Sequence, residues 1–205
     1  RAFDTYNESN CRALAAVFVA NQTWNVPTLV RLRTQELADS PEYLNDPAMP
    51  YIPASSLKEW REVTKIFHNL PASMRATHRE AYQRQLGLAK LFDDAGVRMM
   101  VGTDGGGQAP GQSIHQEFDE LAKAGLTPLK ILQMTTLYPA EFLGRTETMG
   151  SIHTAKNADI VLLDGNPVES VQNLHNISGV VRAGFYYSRK DLDALRARAA
   201  ARQAK

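Results

Sequence analysis

Val97-Arg-Met-Met-Val-Gly-Thr-Asp-Gly-Gly-Gly107 is the stretch on which the fold turns. It predicts a short buried strand, Val97 to Val101, that breaks into a glycine loop with Asp104 at the break. A carboxylate at the C-terminal end of an apolar strand, followed by glycines, is where α/β proteins place chemistry. Flanking glycines such as Gly105 let a substrate or metal approach the backbone closely. A plainer reading is that Thr103 and Asp104 cap a turn before the next helix. Both readings stay open on this stretch alone.

Upstream, Ala72 to Asp94 predicts a helix with Met74, His78, Ala81, Gln85, Leu88, Ala89 and Phe92 on one side, ended by Gly96. Pro71 separates it from a helix opened by the capping-box pattern Ser56-Leu-Lys-Glu59. Arg31 to Ala54 reads as irregular or weakly helical, punctuated by Pro41, Pro47, Pro50 and Pro53, and such long connections serve as lids or insertions. Trp24 to Leu29 reads as a short strand whose last residues enter a loop, with Pro27 at a strand end or on an edge. Asn7 to Gln22 has helical spacing, with Ser9 as N-cap and Asn21 as a left-handed stop.

Downstream, Ser113-Ile-His-Gln116 is another capping-box pattern, and the helix runs through Phe118 and Leu121 to Gly125. Thr127-Pro128 supplies an N-cap and first residue for the next helix. Pro139 opens a short helix that stops at Gly144. The period then changes: Ala158 to Leu163 and Gly179 to Ser188 read as strands, and Asp191 to Lys205 as a helical tail.

A chain of 205 residues with 43% hydrophobic content can bury one good core or two small ones. Lys and Arg number 23 against 22 Asp and Glu, for a net charge of +1, which carries no electrostatic footprint for nucleic acid. The single cysteine, Cys11, excludes an internal disulfide and a multi-cysteine zinc site. No apolar run approaches the roughly 18 residues of a transmembrane helix, so a soluble chain with no membrane partner is expected. No signal peptide is visible, and an opening Arg1 in place of methionine leads us to expect a native start upstream. The predicted order contains two βα units. A closed eight-stranded barrel takes about 250 residues, so the chain reads as one end of something larger.

Among the five histidines there is no His-x-His and no His-Glu-x-x-His. His78 reads as packed or half-exposed, His68 and His175 as solvated, and His153 as structural. His115 stands apart: it lies in the first turn of a helix just after the glycine loop, and is either functional or a solvent-facing helix residue. The loop lacks both Gly-x-Gly-x-x-Gly and a Walker pattern, which leaves only the helix start at Ser113 as an anion site. No Gly-x-Ser-x-Gly elbow supports a Ser-His-Asp triad. Asp104 suits a general base or a metal ligand, but catalytic zinc takes three protein ligands, and no clustered set is present.

In order, the segments form a longer pattern. Val101-Gly-Thr-Asp104 and Gly111-Gln-Ser-Ile-His-Gln-Glu-Phe118 are followed by Ala124-Gly-Leu-Thr-Pro128 and Thr135-Thr-Leu-Tyr-Pro-Ala140. Phe142-Leu-Gly144, Gly150-Ser-Ile152, the run Lys156 to Pro167, and Val180-Val-Arg-Ala-Gly184 continue it. This set resembles the last barrel strand, its loop and the closing segment of the metal-dependent amidohydrolase superfamily, nearest its imidazolonepropionase-like and Xaa-Pro-dipeptidase-like branch. Val26-Pro-Thr-Leu29 resembles the seventh barrel strand. Ala155 departs from a glycine common in the turn before Lys156, and Tyr138 from a frequent asparagine.

The resemblance implies an α/β fold: the C-terminal part of a TIM-like (β/α)8 barrel, strands seven and eight with their helices, plus the last strands of a small β-sandwich. Residues 1–145 would be partial barrel, 146–190 part of the sandwich, and 191–205 a helical tail. The implied activity is metal-dependent hydrolysis of C–N bonds in an amide, cyclic amide or dipeptide. Asp104 would bind a divalent metal, zinc in the first instance, and handle the proton of the attacking water. Gly105 and His115 would contact substrate. The family's His-x-His, bridging lysine and two later histidines would precede Arg1, so this chain alone is expected to be inactive. The missing barrel part, or a partner chain, would complete it. The rival expectation is a non-catalytic half-barrel acting as a binding or assembly module, because two βα units leave apolar faces uncovered.

Overall fold

The structure, a computed structural model, describes residues 5–36, 45–105, 109 and 111–203. Helix α1 (Glu8–Ala20) starts where the Asn7 side chain accepts the N–H of Asn10 at 3.2 Å. Asn7 is therefore the cap in place of the expected Ser9. The left-handed residue after α1 is Gln22 (φ 53) and not Asn21. Strand β1 (Trp24–Asn25) is shorter than the predicted Trp24–Leu29. Pro27 has no N–H for a ladder, Thr28 turns left-handed (φ 49), and Leu29 opens helix α2 (Leu29–Glu36). The segment expected to be irregular or weakly helical thus begins with a helix; it also holds a 3-10 turn (Met49–Tyr51), while Pro41 lies outside the described residues.

Helix α3 (Ala54–His68) begins two residues before the expected capping box, after Pro53 and without a side-chain cap. Helix α4 (Ala72–Asp94) has the predicted bounds. Strand β2 (Arg98–Met99) occupies the centre of the Val97–Val101 run. It pairs in parallel with β1, Trp24 opposite Arg98 and Asn25 opposite Met99. Beyond the ladder, Met100 donates to the Asn25 carbonyl and Val101 to the Met134 carbonyl, each at 3.0 Å.

Helix α5 (Ser113–Lys123) starts after Gln112, and Ser113 is its first residue, so the expected box there does not form either. Helix α6 (Pro128–Thr135) keeps the predicted cap, Thr127 Oγ1 accepting from the Lys130 N–H at 3.2 Å. Helix α7 is Leu137–Phe142. The remainder is a three-stranded antiparallel sheet in the order β3 (Ile160–Leu163), β4 (Ile177–Arg182), β5 (Phe185–Ser188). The single strand expected over Gly179–Ser188 is broken by Ala183 and Gly184, whose φ of 51 and 81 make a two-residue hairpin turn. Helix α8 (Arg189–Gln203) follows directly. It is capped reciprocally: Ser188 donates its N–H to Asp191 at 2.9 Å, and Asp191 N–H donates to Ser188 Oγ at 3.3 Å. Among the described residues no helix is long and apolar enough to cross a membrane.

The core gathers around β2 and α5. Leu29, Val97, Met99, Leu121, Ile131 and Met134 are fully buried, and Phe18 meets Phe92 with ring centroids 5.4 Å apart. Val171 and Leu174, from a 3-10 turn (Val171–His175), join the same cluster and tie the antiparallel sheet to it.

Two carboxylates of α5 are buried with this core. Glu117 accepts the Leu29 N–H on one oxygen at 3.1 Å and the Val30 N–H on the other at 2.7 Å. These amides belong to the first turn of α2, where four N–H groups lack helical partners. Burial pushes the Glu117 pKa up, from 4.5 to about 8, against the pull of these two bonds, and Glu120 pushes the same way. Glu120 accepts from the Tyr82 hydroxyl, from Lys123 Nζ at 2.7 Å and from Arg33 Nε at 3.2 Å. The two glutamates together join α2, α4 and α5.

Leu121→Ala is expected to cost about 2–5 kcal/mol in denaturant unfolding, whereas Leu195→Ala on the exposed tail helix costs under about 0.5 kcal/mol. Glu117 also sets a pH dependence. Its folded-state pKa lies above its unfolded one, so its contribution is complete below about pH 4.5 and is lost as pH rises to about 8. Melting curves from pH 5 to 9 are expected to fall more steeply for the wild type than for Glu117→Gln. Parallel curves would refute the assignment.

Candidate active site

The end of β2 is held from three sides before it reaches Asp104. Asn25 and Met134 carbonyls take its last amides, as above, and Gly102 lies against β1's continuation. A methyl added at Gly102 would sit 2.4 Å from Val26 Cγ1 and 3.9 Å from Thr28 Cγ2, so only glycine lets the two segments approach this closely. Thr103 Oγ1 then accepts from Ser113 Oγ at 3.5 Å, tying the loop to the start of α5. Asp104 follows with a left-handed backbone (φ 41) and an exposed side chain. The carboxylate is thus presented outward from a buried strand, on a backbone conformation that costs a non-glycine residue energy. Gly105, next to it, is also exposed; Gly106 and Gly107 lie outside the described residues.

His115 sits in the first turn of α5, half-buried and not solvent-facing. Its ring meets Phe118 at 5.5 Å and His175 at 5.1 Å between centroids, and its buried Nδ1 has no hydrogen-bond partner among the described residues. Burial lowers its pKa, His175 and Arg196 push the same way, and Asp119 opposes them. The neutral ring is therefore the favoured form. His175 was expected in solvent; instead its Nε2 lies 3.0 Å from Asp119 Oδ1, which also accepts from Gln172 Nε2 at 2.9 Å. The cause is tertiary: the 3-10 turn that carries His175 packs on α5. His153 and His68 are exposed, and His78 is half-buried edge-on to Phe67 at 5.7 Å.

Asp46, in the described part of the insertion, accepts from Gln116 Nε2 at 2.5 Å and so binds that segment to α5. Ala48, Ile52 and Ala109 form a small second core. The described part of the insertion therefore packs against Ala109. Sequence reasoning missed Glu117. The signal was its spacing, three residues after Ile114 and four before Leu121, which sets a carboxylate on the apolar stripe of α5.

Among the described residues no group of three or more His, Cys, Asp or Glu side chains is placed to hold a metal ion. Asp104 supplies a single carboxylate, and among the described residues it belongs to no such group, so these residues do not by themselves fit a metal centre.

The amidohydrolase family model matches residues 55–185. An imidazolonepropionase of Shouchella clausii (strain KSM-K16) is 30% identical over 104 residues, which is 47% of this chain and 23% of that protein. Among solved structures, a bottromycin amidohydrolase superposes with a TM-score of 0.72 at 24% identity, covering 88% of this chain and 40% of that one. A Xaa-Pro dipeptidase with methionine bound in its active site superposes at 0.58 and 23% identity, covering 85% and 36%. The chain thus spans 23% of the curated relative and 36% to 40% of these two structures. The matched span runs from α3 through the end of β2, Asp104 and α5 into the β4–β5 hairpin, and on that ground the chain belongs to the amidohydrolase family.

Proposed function

We propose that this chain carries part of an active site that hydrolyses a C–N bond in an amide, cyclic amide or dipeptide. The observation that carries the proposal is Asp104, exposed on a strained turn at the C-terminal end of a buried parallel strand. In this reading β1 and β2 are the seventh and eighth strands of a TIM-like barrel, and β3 to β5 are the closing strands of a small β-sandwich. Asp104 takes the proton of a water that adds to the carbonyl carbon. It then delivers that proton to the nitrogen as the C–N bond breaks. Gly105 leaves room for substrate beside the carboxylate, and His115, neutral and half-buried, steadies the loop or contacts substrate.

The superfamily is generally metal-dependent. A divalent ion such as zinc would need ligands beyond the described residues. Two paired strands do not enclose a substrate, and the rest of the pocket comes from further barrel strands or from a partner chain. The exposed apolar residues of the small sheet, Phe185 (72%), Tyr186 (60%) and Val161 (53%), favour a second reading, a non-catalytic module that docks on another surface.

Metal analysis and turnover of purified 1–205 separate these readings. Stoichiometric tightly bound metal with turnover by the monomer would sink the idea of an incomplete site. In the active protein, Asp104→Asn is expected to lower kcat about 100-fold or more with an unchanged melting temperature. Near-normal turnover would contradict the role given to Asp104.

A further inference from the structure

We propose that Glu117 is a positioning residue for Asp104, acting through the left-handed turn at Thr28. This rests on the reading of Asp104 as the proton-handling group, but the contacts that carry it are independent of that chemistry. Glu117 binds the Leu29 and Val30 amides, the first two of α2. Those amides fix the position of Thr28, whose φ of 49 is a conformation a β-branched residue rarely adopts. A turn of this kind persists only where its surroundings hold it. Val26 and Thr28 in turn lie against Gly102, at 2.4 Å and 3.9 Å from where a methyl on that glycine would sit. Gly102 is two residues before Asp104, which is itself left-handed. The chain of contact is continuous: buried carboxylate, helix start, strained turn, strand end, Asp104.

The second end of the circuit closes on the same helix. Glu117 belongs to α5, and α5 begins at Ser113, whose hydroxyl lies 3.5 Å from Thr103 Oγ1. One helix therefore holds the loop before Asp104 by its first residue, and the turn packed against that loop by its fifth. Glu120, one turn of α5 further on, is equally buried, but its partners are the side chains of Tyr82, Arg33 and Lys123. Its loss disturbs the core without releasing the Leu29 and Val30 amides. Glu120 is thus the matched control for a merely structural effect.

The test uses the full chain, 15N-labelled, at one fixed pH, with three variants: Glu117→Gln, Glu120→Gln and Val26→Ala. Amide resonances and hydrogen exchange are read at Leu29, Val30, Asp104 and Gly105. In Glu117→Gln, exchange at Leu29 and Val30 is expected to rise at least tenfold, and the Asp104 and Gly105 resonances to move or broaden. Those of β3 to β5 stay in place. Glu120→Gln leaves Asp104 and Gly105 unmoved. Val26→Ala, a half-exposed position that leaves Glu117 intact, moves them without raising exchange at Leu29 and Val30, and it keeps the test decisive if Glu117→Gln fails to fold. Unmoved Asp104 and Gly105 signals in a folded Glu117→Gln or in Val26→Ala would overturn the proposal, as would equal movement in Glu120→Gln. Loss of turnover in Asp104→Asn alongside that negative result would discard the positioning role and keep the proposed hydrolysis.

Discussion

One carboxylate closes the fold on itself. Glu117 reaches from α5 to the start of α2, 88 and 87 residues away in sequence, and satisfies two amides that helix geometry leaves without partners. Both groups are deep in the core. An amide left unpaired there loses its water for nothing in return, at a cost of about 1–3 kcal/mol. The positive end of the α2 dipole attracts the same carboxylate. Burial works in the other direction and raises its affinity for a proton. The opposition of these effects is why the contact is sensitive to pH. It also explains why an acidic residue stands on an otherwise apolar helix face.

The position of Asp104 follows from this closure. The parallel β1–β2 pair has two ladder positions, Trp24 with Arg98 and Asn25 with Met99, and a pair that short does not define where its strand ends go. Definition comes from what surrounds it. The Asn25 and Met134 carbonyls bind the next two amides, Val26 packs on Gly102, and the Ser113 hydroxyl meets Thr103. Asp104 emerges from this set of contacts exposed, on a backbone that is not at rest. An exposed, strained carboxylate fixed by buried neighbours suits a group that meets substrate. The amidohydrolase family model matches residues 55–185, a span that contains this strand end and Asp104.

The parts of this structure legible in the sequence are those whose causes are local. The bounds of α4 follow from apolar spacing between Pro71 and Gly96, and the start of α6 from Thr127 and Pro128. Asp104 was legible because a strand, a carboxylate and glycines lie side by side in the chain. What escaped depends on distant partners or on backbone sign. Thr28, Ala183 and Ala155 carry positive φ with residues that rarely accept it, so nothing in their identity announces a turn. At Ala155 the backbone is left-handed (φ 71), a conformation that glycine adopts without the steric cost an alanine meets. Ser56 and Ser113 had the residues of a capping box, yet Ser56 lies inside its helix and Ser113 is the first residue of its own, so neither stands at the cap position. The reciprocal cap that does form uses Ser188 and Asp191, where the hairpin delivers the chain into α8 in an extended conformation. His175 was placed in solvent because its pairing with Asp119 crosses 56 residues.

Hydrogen exchange of the unmodified chain at the Leu29 and Val30 amides is the most direct probe of this closure. The first amides of a helix ordinarily exchange fast, because no helical carbonyl takes them. With Glu117 bound to both, they are expected to exchange as slowly as the amides of the surrounding core, such as Met99 and Leu121. Rates typical of an open helix start would contradict the Glu117 closure and, with it, the fixed strand end on which Asp104 stands.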